Sequence, residues 1–204
     1  MGNVENVAEA ENAQLKKKKY LRDLNLYFGG ENDALVLNAL EPPQDLVNLS
    51  INDYQGTRMS PNWMIPLINL KRLTLTCFTR LDCLPPLGKL SSLKSLKITC
   101  FMSLKKVGIE FLGIENEIKK CDKIKIFPNL KSLLFQYLNE WEDWIGIGEM
   151  RGGGGEEEEE EERCITIMPH LKQLTILYSP KLKSPLDFLR TAPLQILEVV
   201  TVQF

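Results

Sequence analysis

The chain is poor in the groups most enzymes and secreted domains rely on. Among 204 residues there is one histidine, His170, in "MPHLKQL" beside core-type leucines. A catalytic base needs a partner and a nucleophile in reach, and nothing nearby supplies both. Cysteine occurs five times, at 77, 83, 100, 121 and 164, with no C-x-x-C pair. That count and spacing argue against a disulfide framework or a zinc site and fit a reducing compartment. No apolar run approaches the roughly 18 residues of a membrane span. The opening "MGNVENVAEAEN" is acidic and has no signal-peptide core. Met1-Gly2 begins like a myristoylation site, but Asn6 stands where that motif needs Ser or Thr. There is no G-x-x-x-x-G-K-[ST] loop, and in "GIGEMRG" Arg151 replaces the last glycine of a dinucleotide fingerprint. A net charge of −2 gives no nucleic-acid signal. It does hide an asymmetry: Glu156–Glu162 is a single acidic run, and the remainder is mildly basic.

Leucine at fixed spacing is what the chain does have. The pattern L-x-x-L-x-L begins at Leu21, Leu46, Leu70, Leu93, Leu130, Leu171 and Leu194, at steps of 25, 24, 23, 37, 41 and 23 residues. The short steps have the length of a leucine-rich repeat. Positions four and six alternate like a strand with one buried face. A single coil cannot bury its leucines, whereas stacked coils bury them in a continuous ladder. The expected fold is therefore an α/β leucine-rich-repeat solenoid. It is an irregular horseshoe with a parallel sheet on its concave face and loops or short helices on its convex side.

The return segments carry apolar residues every third position: Leu75, Phe78, Leu81, Leu84; Ile98, Phe101, Leu104, Val107; Phe135, Leu138, Trp141, Trp144. Position nine of such repeats usually holds Asn or Cys. Here it holds Gly29, Tyr54, Phe78, Phe101, Leu138, Ser179 and Val202, so aromatic packing must replace most of a polar ladder. Residues 1–20 form a lead-in segment with a short helix, and residues 21–204 the repeats. The long steps place insertions near 108–127 and 146–164. The second, four glycines followed by the glutamate run, is too charged to order. The chain ends within the seventh strand without a polar cap, which implies a fragment or a truncated product of a larger protein.

The sheet face presents positions two, three, five, seven and eight. Position two reads Arg22, Val47, Lys71, Lys94, Lys131, Lys172, Gln195. Like charges on neighbouring strands cost stability, so the lysines point to an acidic partner. Soluble lysines with splayed stems are the plainer alternative. Lys97 lies on the same face. Position eight includes Tyr137 and Tyr178, residue types that anchor interfaces. Cys77 and Cys100 share that position, which reads as repeat logic rather than as a redox pair.

Six segments, in order, resemble one family. They are "NVENVAEAENAQLKKKKYLRDLNLYF", "YQGTRMSPNWM", "LDCLPPLGKLSSLKSLKI", "VGIEFLG", "FPNLKSLLFQYLNEWEDW" and "MPHLKQLTILYSPKLKS". Together they resemble the leucine-rich-repeat region of plant intracellular immune receptors, the coiled-coil-class nucleotide-binding disease resistance proteins of RGA-like type. The resemblance implies a cytoplasmic, non-enzymatic region acting in defence by protein–protein interaction. It implies two kinds of partner: a pathogen effector or a guarded host protein, and the nucleotide-binding domain of the parent receptor. ADP or ATP would belong to that domain, absent here, so this chain needs no cofactor, metal, nucleic acid or membrane span. Phe78 and Leu81 depart from the family, where many relatives carry Cys. The alternatives are a generic repeat scaffold and an inactive truncated product.

Overall fold

The computed structural model describes residues 6–114, 124–144, 165–183 and 192–200. Side chains alternate across a strand, so L-x-L buries positions four and six and turns three, five and seven outward. Seven such strands form one parallel sheet: β1 Asp23–Tyr27, β2 Asn48–Asn52, β3 Arg72–Phe78, β4 Ser95–Phe101, β5 Ser132–Gln136, β6 Gln173–Leu177 and β7 Ile196–Val200. They lie side by side in chain order. Leu24, Leu49, Leu73, Leu96, Leu133, Leu174 and Leu197 occupy one row of the register; Leu26, Ile51, Leu75, Ile98, Phe135, Ile176 and Val199 occupy the next. These are positions four and six of the repeat, and the fold is the leucine-rich-repeat solenoid the spacing predicts. Both rows are buried from β1 to β6, whereas in β7 Leu197 and Val199 are 56% and 47% exposed.

The two long steps do not interrupt the sheet. β4 pairs directly with β5, and β5 with β6. The extra chain is accommodated on the return side, where Lys106–Val107 runs parallel to Asp143–Trp144 and Lys125–Ile126 parallel to Thr166–Ile167. The short helix Ile109–Leu112 lies at the start of the first insertion. The glycine–glutamate segment expected to be disordered, 146–164, lies outside the described residues.

All twelve residues of the three return-segment series are buried, Trp141 and Trp144 included. At position nine the rings form a ladder inside the coil. Tyr54 and Phe78 have centroids 5.2 Å apart, and Phe78 and Phe101 stack at 4.6 Å with planes 6° apart. Phe28, at position eight of the first repeat, meets Tyr54 edge-on at 5.6 Å. Aromatic packing thus takes the place of hydrogen-bonded asparagines, adding about 0.5–1.5 kcal/mol per pair beyond area burial. The Tyr54 hydroxyl still finds a partner, donating to the Arg58 carbonyl at 2.6 Å.

From β2 to β6 the chain turns inward through position eight. Asp53, Cys77, Cys100, Tyr137 and Tyr178 all have φ between 54° and 62°. None is glycine, and each left-handed residue of this kind costs on the order of 1 kcal/mol. Five repeats accept that cost because the turn drives the next side chain into the core.

Before β1, Asn6 caps helix α1 (Val7–Asn12) by accepting from the Glu9 N–H at 3.0 Å. α1 packs on helix α2 (Asp33–Ala39), and Ala10 is buried between them and the first coil. Buried Asp33 ties α2 to the second repeat, accepting from the backbone N–H groups of Gly30 (3.0 Å) and Gln55 (2.8 Å). Trp63, from "PNWM", donates to the Leu37 carbonyl at 2.9 Å. In "LPPLGKL" the backbone carbonyl of Leu112 comes so close to Gly88 that a Cβ there would lie 2.2 Å from its oxygen. Glycine is required where the insertion crosses the third coil.

Candidate partner-binding face

The outer face of the sheet holds every site residue expected from the sequence. The position-two residues open successive strands and are tied by one backbone ladder. Lys94 N–H donates to the Lys71 carbonyl at 2.8 Å, Lys131 to Lys94 at 2.8 Å, and Lys172 to Lys131 at 2.9 Å. The ladder extends through Val47 to Arg22 at one end and to Gln195 at the other. Four exposed ammonium groups therefore stand on adjacent strands, with backbones roughly 4.8 Å apart.

A few other cations of the molecule are paired with carboxylates. Lys181 meets both oxygens of Glu140 at 2.7 Å, Lys183 approaches Glu142 at 3.7 Å, and Lys16 approaches Glu41 at 2.8 Å. The Glu140 carboxyl is held below its ordinary range by the hydrogen bond and charge of Lys181. Arg22 is engaged too: its guanidinium donates to the Asp45 carbonyl at 2.8 Å and lies 3.6 Å from the Asp45 carboxylate. It is separated from the lysines by Val47. Among the described residues no carboxylate pairs with Lys71, Lys94, Lys131 or Lys172.

Lys97 sits at position five of β4, exposed, between Thr74 and Leu134 in the register. It lies about 10 Å along the strand from Lys94. Tyr137 and Tyr178 lie at the opposite end of the strands, about 20 Å from the lysine row. Their rings stack at 4.8 Å with planes 6° apart, and Tyr137 is 44% exposed. Two of the expected residues thus form one stacked aromatic pair. Near β1 and β2 the outer face is occupied with itself: Asn48 donates to Asp23, and Asn52 donates to the Leu26 carbonyl (3.0 Å) and the Ser50 hydroxyl (3.3 Å).

Two features were not visible in the repeat columns. Thr175 occupies an outward position of β6 yet is only 4% exposed, with Gln173 Nε2 3.5 Å from its hydroxyl. On the return side, Arg58, Arg80, Lys105 and Lys106 line a cavity of about 930 Å³ with Asp82 and Cys83. Those cations come from three different coils and three different repeat positions, Arg58 and Lys105 sharing the thirteenth, and the stacking gathers them. His170 is exposed in the turn before β6. Among the described residues no three His, Cys, Asp or Glu side chains come together as a metal-ligand set, and no helix is long and apolar enough to cross a membrane.

Known proteins share this repeat pattern. Residues 1–101 match the family described as R13L1/DRL21 LRRs. RPP13-like protein 1 of Arabidopsis thaliana is 28% identical over 202 residues, covering 90% of this chain and 18% of that protein. A second Arabidopsis thaliana disease resistance protein is 33% identical over 159 residues, covering 70% of this chain and 11% of that protein. Disease resistance protein RGA2 of Solanum bulbocastanum is 31% identical over 104 residues, covering 47% of this chain and 11% of that protein. The chain thus spans less than a fifth of the length of each of these relatives. No solved structure matches it. The in-register leucine rows and these relatives agree: the chain is a leucine-rich-repeat region of the plant NLR disease-resistance type.

Proposed function

We propose that the outer sheet face of β3–β6 is a protein-recognition surface, acting in plant defence within a cytoplasmic receptor. The lysine row holds an acidic surface of a partner protein, and the Tyr137–Tyr178 platform packs against its apolar rim. One partner is the nucleotide-binding domain of the parent receptor, which the repeats restrain; another is a pathogen effector or the host protein it attacks. The observation supporting this reading is the lysine row itself. Four exposed lysines on adjacent strands of the sheet face have no carboxylate within 4 Å among the described residues. Charge complementarity across an interface steers encounter and disfavours wrong partners.

The test is co-precipitation of this chain with the nucleotide-binding module of a full-length relative, at low and at moderate salt. Binding that weakens with salt, and that Lys94→Glu with Lys131→Glu abolishes, is the expected result. Binding indifferent to both salt and charge reversal would remove the lysine row from the proposal. Absence of binding by a folded chain would reject restraint of that domain and leave an external ligand as the partner.

A further inference from the structure

We propose that Cys77 and Cys100 form a paired-thiol modification site, closed into a disulfide between neighbouring repeats by a peroxide-class oxidant. The register brings them together. Thr76 stands opposite Thr99 and Phe78 opposite Phe101, so Cys77 stands opposite Cys100. Both have left-handed backbone, φ 58° and 62°, and the same turn therefore aims both side chains alike. The stacked rings of Phe78 and Phe101, one residue on, hold the two coils superposed at this point. Parallel strands lie roughly 4.8 Å apart, inside the roughly 4.4–6.8 Å between Cα atoms that a disulfide spans. Both thiols are free and half-buried, within reach of a small oxidant. Asp53 and Cys100 are the neighbours of Cys77 at position eight of the adjoining repeats.

The chemistry balances with hydrogen peroxide. One cysteine loses its proton, and its thiolate attacks a peroxide oxygen. The O–O bond breaks, hydroxide leaves and takes up a proton as water, and the sulfur becomes a sulfenic acid. The second thiol, deprotonated in turn, attacks that sulfur; the S–O bond breaks and a second water leaves. Two thiols are oxidised by two electrons, and one peroxide is reduced to two waters. Burial and the neighbouring Cys100 and Asp53 push the Cys77 thiol up to about 11. Cys77 is therefore a reluctant nucleophile at neutral pH and reacts faster as the solution becomes more alkaline.

The full chain is treated with hydrogen peroxide at pH 7 and at pH 9, blocked with N-ethylmaleimide, digested with trypsin and mapped by mass spectrometry. The expected product links "LTLTCFTR" (73–80) to "ITCFMSLK" (98–105) within one chain, is cleaved by dithiothreitol and forms faster at pH 9. The link persists in Cys83→Ser and disappears in Cys77→Ser, where Cys100 carries only single-thiol adducts. Separate oxidation or alkylation of Cys77 and Cys100 without the link would overturn the proposal. So would a link found only between two chains, or no reaction in a chain whose circular dichroism shows it folded.

Discussion

Positions eight and nine of each repeat are neighbours in the chain and have opposite fates. Position nine enters the coil, where Tyr54, Phe78, Phe101, Leu138 and Ser179 are fully buried. Position eight stays at the surface in a left-handed turn, and there the side chains vary: Asp53, Cys77, Cys100, Tyr137, Tyr178. One peptide bond separates the part of the molecule that stability depends on from the part open to function. The fold enforces the backbone at both positions and the chemistry only at the inner one.

The largest break in that contrast should come from the inner ladder. Phe78→Ala removes a ring with no exposed surface that packs between Tyr54 and Phe101. It should cost about 3–5 kcal/mol in denaturant unfolding. Adding Phe101→Ala should cost less than the sum of the two, because they share one contact.

Ionising the inner ladder should have the next largest effect. Burial, with Asp33 nearby, pushes the Tyr54 phenol up to about 12 from 10.0. Its folded value is raised, so its contribution is fully present below pH 10 and is lost as pH rises towards 12. The loss is on the order of 3 kcal/mol. Tyr54→Phe should remove that alkaline dependence while costing about 1 kcal/mol at neutral pH through the lost bond to the Arg58 carbonyl. Melts at a series of pH values between 8 and 12 would read both effects.

At position eight the usual rank of glycine and alanine should invert. Tyr137 has φ 56°, a conformation glycine adopts without strain. Tyr137→Gly should then be more stable than Tyr137→Ala by about 1 kcal/mol in the same assay. Equal stabilities would mean that this turn relaxes once the side chain is gone.

Charge reversal on the outer face should be the mildest. Lys94→Glu, between Lys71 and Lys131, replaces two like-charge neighbours with opposite ones. The chain should become slightly more stable, by under about 1 kcal/mol, with the gain shrinking as salt is added. A large loss of stability would show that the lysine stems cover core surface.

Much of this architecture was legible in the leucines, since a strand face, a coil length and a register are all set by spacing. The same regularity marked Trp141 and Trp144 as interior residues and Tyr137 and Tyr178 as neighbours on one column. Other features had no period to reveal them. Asp33 is buried because α2 meets the second coil, and the backbone N–H of Gln55 comes from 22 residues away. Gly88 is required by the close approach of the Leu112 carbonyl, which no spacing within its own repeat announces. The cavity cations Arg58, Arg80, Lys105 and Lys106 do not fall on one common repeat position.

The sequence by itself determined the solenoid, because burying leucines at positions four and six has one cheap solution, a stack of parallel strands. It also determined which columns face outward. Only the tertiary structure decided what those columns meet: four lysines without a carboxylate partner among the described residues, two tyrosines stacked ring on ring, two cysteines opposite one another in the register. The physical reason is that periodicity fixes where a residue stands along its own coil. Its contacts depend on which residue the next coil places about 5 Å away.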